Sequence, residues 1–278
     1  MKDLDGFTIA IAGLGLMGGS LAMALKKHSV GRLRLGTDIN PQVVSRALEL
    51  GVIDGVVEDY SKVDLFVLAM PVRGIIHWLH TVGMTLPATC LVMDLGSTKQ
   101  EVVAAMAQLP AQCIGGHPMC GKETSGIEAA DAELFNGAKF VLTPAAGASA
   151  DAMDAALALV RLIGAQPVVM DAAEHDRAVA AISHVPYLLA AALVTCVDDL
   201  HDEHTRTLAS SGFSSMTRLA ASDLRMMGDI IATNKDSIIE LLDRYDRELH
   251  ELREALGSAD ESRWRARLER ANNLKRSM

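Results

Sequence analysis

Two stretches of this sequence carry residue types arranged for chemistry. The first is Gly13-Leu14-Gly15-Leu16-Met17-Gly18, preceded by an apolar run at 8–12 and followed by a helical pattern at 19–27. A G-x-G-x-x-G spacing between a strand and a helix suits a dinucleotide. Gly13 makes the tight turn, Gly15 lets backbone N–H groups approach a pyrophosphate, and Gly18 allows helix and strand to pack closely. Leu14, Leu16 and Met17 complete the loop, and the phosphate charge rests at the helix N-terminus. Asp38 stands twenty residues beyond Gly18, where a carboxylate can accept hydrogen bonds from ribose hydroxyls. It would repel a 2'-phosphate, and neither Ile39 nor Asn40 compensates, so NAD is the expected cofactor. Ala69-Met70-Pro71 ends another apolar run, at the carboxyl edge beside that cofactor.

The second stretch is Gly115-Gly116-His117-Pro118-Met119-Cys120-Gly121-Lys122-Glu123-Thr124-Ser125-Gly126, placed after an apolar run at 111–114. Pro118 biases His117 towards extended backbone, and the paired glycines permit close approach of chain or ligand. An imidazole titrating near neutrality can take a proton from a substrate hydroxyl. Many histidines at strand ends do no more than satisfy local hydrogen bonds, and the spacing alone leaves both readings open.

The elements that must position these residues are strands at 8–12, 33–37, 65–69, 90–94, 111–114, 139–143 and 166–170. They alternate with helical patterns, the order expected of parallel strands joined by crossover helices. After residue 170 the strand signal stops, and 172–198 and 235–256 carry apolar residues at helical spacing. The expected fold is α/β: a Rossmann-type doubly wound sheet over residues 1–170, followed by an all-helical domain over 171–278. Ile238, Leu241, Leu242, Tyr245, Leu249, Leu252 and Leu256 form an apolar stripe that needs a partner, inside its own domain or across a homodimer. The arginines at 263, 265, 267 and 270 read as a solvated helix face.

Composition narrows the function classes. The chain has 278 residues, half of them apolar, and a net charge of −9, which argues against binding nucleic acid or an anionic membrane through its overall field. An anionic substrate must then be held by a few local cations. The four cysteines show no paired or metal-ligand spacing, so reduced thiols and no metal are expected. The apolar segment 7–25 lacks a basic leader and is interrupted by glycines, unlike a signal peptide or a spanning helix. A soluble, cytoplasmic protein is the expectation.

The segment around His117 resembles the prephenate and arogenate dehydrogenase family, whose G-H-P-x-x-G-x-E-x-S-G stretch carries the catalytic histidine. Further motifs agree. Asp94-Leu95-Gly96-Ser97-Thr98-Lys99 resembles the family's D-x-G-S-x-K turn, and Leu134-Phe135 its L-F pair. Ile182-Ser183-His184-Val185-Pro186-Tyr187 is similar to its S-H-x-P-H helix. Ser211-Gly212-Phe213 with Met216-Thr217-Arg218 is similar to its G-F-x-x-x-T-R segment. The resemblance runs from Gly13 to about Asn234.

What it implies is NAD-dependent oxidative decarboxylation of prephenate or arogenate in tyrosine biosynthesis; a homodimer through the helical domain is expected from the apolar stripe. His117 is then the proton acceptor, and Ser97 lies between histidine, nicotinamide and substrate hydroxyl; a plain helix cap is the other reading of that serine. Arg218 binds a substrate carboxylate, for which a planar guanidinium fork is suited, or else forms a surface ion pair. His184 either faces the cleft as a further substrate contact or is a satisfied core histidine, and Glu123 and Thr124 are expected at the substrate entrance. The family's second histidine is Tyr187 here, and a phenol cannot offer a carboxylate the charge of an imidazolium. No added regulatory domain is expected, so any feedback control by tyrosine would act at the active site. Two other readings compete: a β-hydroxy acid dehydrogenase, which would want a catalytic lysine in the helical domain, and a non-catalytic NAD sensor, which would show a decayed site. Lys235 is the only lysine between Lys139 and Lys275 and lacks a glycine-rich context, while His117, Ser97 and Arg218 are all present.

Overall fold

The computed structural model describes residues 4–277. The chain opens with strand β1 (Thr8–Ala12), helix α1 (Leu16–Lys27), β2 (Leu33–Thr37), α2 (Pro41–Glu49), β3 (Gly55–Val56) and β4 (Leu65–Leu68). It continues through α3 (Val72–Thr81), β5 (Leu91–Asp94), α4 (Gln100–Met106), β6 (Gln112–Pro118), β7 (Lys139–Pro144), α5 (Ala150–Leu162) and β8 (Gln166–Val169). These strands form one sheet in the order β3-β2-β1-β4-β5-β6-β7-β8. The order reverses between β1 and β4, the crevice where a doubly wound sheet binds dinucleotides.

The sheet is buried on both faces because its strands alternate between two cores. Ile9 and Ile11 of β1, with Leu65 and Val67 of β4, pack towards α1 and α5. Ala10, Ala12, Phe66 and Leu68 point the other way, towards α3 and α4. Successive strand residues face opposite sides, so near-continuous apolar runs serve both layers.

Two features depart from the expected parallel series. β6 runs on through His117 to Pro118 and pairs antiparallel with β7, His117 opposite Val141. The connection from β6 to β7 contains only the 3-10 turn Ile127–Ala129; without a crossover helix to return it to the starting edge, the chain re-enters from the end it left. β3 has two residues, too few to leave a periodic signal.

From Asp171 onward the chain is helical: α6 (Ala172–Val179), a π-helical turn (Ala180–His184), α7 (Val185–Asp198), α8 (Glu203–Leu208), α9 (Ser211–Thr217), α10 (Leu224–Thr233), α11 (Lys235–Gly257) and α12 (Glu261–Ser277). A capping box starts this half: the Asp171 side chain accepts from the N–H of Ala173 and Glu174, and Glu174 returns a bond to the Asp171 N–H. Such a cap contributes about 1 kcal/mol. α6 packs on α4 and α10 on α3, which seats the helical half against the carboxyl edge of the sheet.

The apolar stripe of α11 divides. Ile238 is buried and packs with Leu241 and Leu242 against α7, whereas Tyr245, Leu249 and Leu256 are exposed. Arg267 of α12 pairs with Glu248 and Glu251 of α11. The arginine-bearing helix is thus folded back as a charged hairpin.

Candidate active site

The glycine turn is built as its spacing requires. Gly13 has φ of +90°, and a Cβ there would lie 2.4 Å from the Ala69 carbonyl oxygen. A Cβ on Gly18 would lie 1.8 Å from the Gly13 oxygen, so any side chain would push α1 off the loop. A Cβ on Gly15, by contrast, meets no protein atom within 4 Å. No side chain caps the start of α1. Its first N–H groups and the open face at Gly15 fit a pyrophosphate, and the residues present fit NAD. Asp38 does a second job here: its carboxylate accepts the Leu14 N–H at 2.8 Å and the Asn40 N–H at 2.9 Å. It thereby braces the loop while keeping lone pairs for a ribose hydroxyl.

A cavity of about 600 Å³ opens between the two halves. From the sheet side its wall is Gly15, Leu16, Met17, Ala69, Met70, Pro71 and Ser97; the loop after β6 adds Glu123 and Thr124, and the helical half adds Arg218. Ten predicted residues, scattered over two hundred positions of sequence, therefore share one chamber. Gly13, Leu14, Gly18 and Asp38 support the loop from behind rather than line it.

Ser97 is half-buried on the cavity wall. It does not cap α4: the N-cap is Lys99, and the N–H groups of Lys99 and Gln100 donate to Asp176 Oδ1 and Oδ2 at 2.8 and 2.9 Å. A carboxylate from the helical half does the capping, which leaves the serine hydroxyl to the cavity.

His117, one residue beyond Gly116 in β6, does not itself line this cavity. Asp94 joins the two: its Oδ2 accepts the Gly96 N–H at 2.7 Å and its Oδ1 the Gly116 N–H at 2.9 Å. Lys99, fully buried, forms an ion pair with Asp94 and donates to the Gly116 carbonyl at 2.7 Å. The loop bearing Ser97 and the strand bearing His117 thus hang on one buried lysine–aspartate pair. Burial works to lower the Lys99 pKa and Asp94 opposes it. Removing either partner would strand a buried charge.

Burial, then the neighbouring His175, Lys99 and His184, hold the His117 pKa well below the ordinary 6.5. At neutral pH the ring is uncharged and able to accept a proton. Its Nδ1 lies 2.8 Å from His175 Nε2, and His175 Nδ1 lies 2.8 Å from Asp176 Oδ1.

His184 and Tyr187 do not line the cavity. His184 is buried at the end of the π-helical turn, with Nδ1 3.2 Å from Asn234 Nδ2, and burial pushes it down to about 4. A ring that is neutral at pH 7 offers no cation to a carboxylate. Tyr187 packs with Met227 and Ile230, and Ile230 itself reaches the cavity.

Sequence reading missed Asp94, Lys99, His175 and Asp176 as functional groups. The signal for the last pair was an adjacent His-Asp in a helix whose inward face is otherwise apolar; its meaning depended on the partner strand.

Residues 21–169 match the family model described as "Prephenate dehydrogenase, nucleotide-binding domain", and residues 171–270 match "Prephenate dehydrogenase, dimerization domain". The chain belongs to the prephenate dehydrogenase family. It is similar to the prephenate dehydrogenase of Bacillus subtilis (strain 168), 37% identical over 265 residues, covering 91% of this chain and 70% of that one. It is also similar to the cyclohexadienyl dehydrogenase of Zymomonas mobilis, 32% identical over 262 residues, covering 91% and 89%. Among solved structures, prephenate dehydrogenase from A. aeolicus in complex with hydroxyphenyl propionate and NAD+ superimposes with a TM-score of 0.92 at 27% identity, covering 99% of both chains. The family assignment and the Rossmann-plus-helical architecture agree with the expectations from sequence.

Proposed function

We propose that this family member oxidatively decarboxylates prephenate or arogenate, yielding 4-hydroxyphenylpyruvate or tyrosine in tyrosine biosynthesis. The observation that carries the reading is one cavity walled by the glycine turn, Ser97 and Arg218, with His117, held neutral by burial, tied to that wall through Asp94.

NAD, when bound, supplies the hydride acceptor, and the loop Gly13–Gly18 with Asp38 would hold it. His117 accepts the proton of the ring hydroxyl as the C–H bond at that carbon breaks. The ring carboxylate then leaves as CO2, the electron pair of its C–C bond enters the ring, and the phenolate oxygen recovers a proton. Aromatisation drives that step. Ser97 hydrogen-bonds the substrate hydroxyl and keeps it directed at the imidazole, while Arg218 anchors a carboxylate and Glu123 and Thr124 border the entrance. His184 and Tyr187 act from behind the wall: His184 steadies the α10–α11 junction through Asn234, and Tyr187 backs Ile230.

The chain acts in the cytoplasm as a homodimer through its helical half. Support comes from the apolar side chains that half leaves in water, among them Ile182, Leu208, Met216, Leu224, Leu249 and Leu256. Ala172–Asp198 is long and apolar enough to cross a membrane. Yet it buries His175, Asp176 and His184 in protein contacts, which suits a core and interface helix better than a lipid-facing one.

The direct test follows NADH formation with prephenate and with arogenate separately, using NAD and then NADP. Turnover with at least one substrate, faster with NAD, is expected; none with either would overturn the assignment.

A further inference from the structure

We infer that His175 and Asp176 form a buried acceptor chain that sets the tautomer of His117, making its Nε2 the site of proton uptake. This deepens the reading of His117 as the base and rests on it.

The inference starts from the carboxylate. Asp176 accepts two backbone N–H bonds, from Lys99 on Oδ1 and from Gln100 on Oδ2, and its own carbonyl accepts from Asn234 Nδ2 at 2.7 Å. A group so placed is an acceptor, so His175 Nδ1, 2.8 Å from Oδ1, must carry its hydrogen. A neutral imidazole protonated at Nδ1 presents a lone pair at Nε2. That lone pair lies 2.8 Å from His117 Nδ1, which then has to be the donor. The rings meet edge to face at 74°. Applied once more, the same rule leaves Nε2 of His117 unprotonated, and that atom has no partner among the described residues.

His175 is 1% exposed and Asp176 is fully buried. Both act only through His117, so both are positioning residues. They belong to α6, whereas His117, Lys99 and Gln100 belong to the sheet half. Docking of the halves is therefore what sets the base: without the α6 pair, nothing in β6 chooses between the two tautomers, and a ring protonated at Nε2 cannot take the hydroxyl proton there. The chain also gives the imidazolium formed in the reaction an acceptor for its Nδ1–H.

The test reads the tautomer in the wild-type protein. With histidine labelled in nitrogen-15, two-bond N–H correlation spectra at pH 8 should show pyrrole-like Nδ1 and pyridine-like Nε2 on both His117 and His175, with His117→Asn giving the assignment. A protonated Nε2 on His117 would overturn the inference. In kinetics, His175→Phe keeps volume but removes the acceptor; kcat should fall by about 10- to 10²-fold, part of what general acid–base help contributes, with the Kd for NAD unchanged. His175→Gln returns an oxygen near the Nε2 position and should recover most of that loss. Equal losses in both variants, with NAD binding intact, would reduce His175 to packing and sink the inference. A wild type inert towards both substrates, yet with the expected spectrum, would instead sink the proposed reaction and uphold the tautomer chain.

Discussion

Arg218 Nη1 donates to Glu123 Oε1 at 2.9 Å, joining the helical half to the loop after β6 on the cavity wall. Both side chains are largely exposed, so the pair itself adds only about 0–1 kcal/mol of stability. Its consequence is functional, because an arginine held there by an exchangeable partner can turn its remaining donors to an incoming carboxylate. Replacing Arg218 by Gln should raise the KM for substrate by about 10- to 10²-fold, the worth of one charged hydrogen bond, with little change in melting temperature. Steady-state kinetics with thermal melts checks this; an unaltered KM excludes Arg218 as the anchor.

His117→Asn should lower kcat by on the order of 10² to 10⁴ and leave NAD affinity unchanged, since the ring does not touch the glycine turn. In the wild type, burial first and then neighbouring His175, Lys99 and His184 keep the ring neutral until the pH falls well below 6.5. The kcat/KM profile should therefore be flat down to that range and decline only at lower pH. An acid limb at or above 6.5 would contradict this placement of the base.

His184 makes a prediction about stability. Its folded pKa of about 4 lies below the unfolded value of about 6.5, so the unfolded chain binds the extra proton more readily. Stability from this group is complete above pH 6.5, is lost as the pH falls towards 4, and amounts to about 3 kcal/mol in all. Urea denaturation at pH 4 to 7.5 should show that decline, and His184→Gln should flatten it. An unchanged slope in the variant would assign the acid sensitivity to other groups.

Asp38→Ala removes both the negative charge facing a 2'-phosphate and the brace on the Leu14 N–H. The ratio of kcat/KM for NAD over NADP should fall, and the Kd for NAD should rise several-fold as the loop slackens. If both quantities stay at their wild-type values, the second strand does not end at the ribose.

Light scattering at micromolar concentration should find a dimer. Glu substitutions at Leu249 and Leu256, exposed on the far half of α11, should shift it towards monomer without unfolding, because neither residue packs in the described core. A wild-type monomer would leave that half of the stripe without a partner.

The two-part α/β and helical architecture and the glycine turn were legible from residue order alone, because both rest on local rules. Strand periodicity, the glycine triplet and an aspartate at the next strand end are dictated by residues within about thirty positions of one another, and β1, α1 and β2 form where those rules place them. Resemblance to the family's motifs, rather than spacing alone, marked His117, Ser97 and Arg218. What only the tertiary structure decided are relationships across the fold. Ser97 is freed for the cavity because Asp176, seventy-nine residues away, caps α4 in its place. His117 is not among the residues that line the cavity and sits in a strand that continues past its apolar run to pair antiparallel with β7, for want of a crossover helix. His175 looked like one more helical residue until the packing of α6 on α4 brought its Nε2 to His117. Spacing along a chain reports what a residue can do, but a buried hydrogen bond between two halves depends on how they dock, and docking is the sum of many apolar contacts that no short motif records.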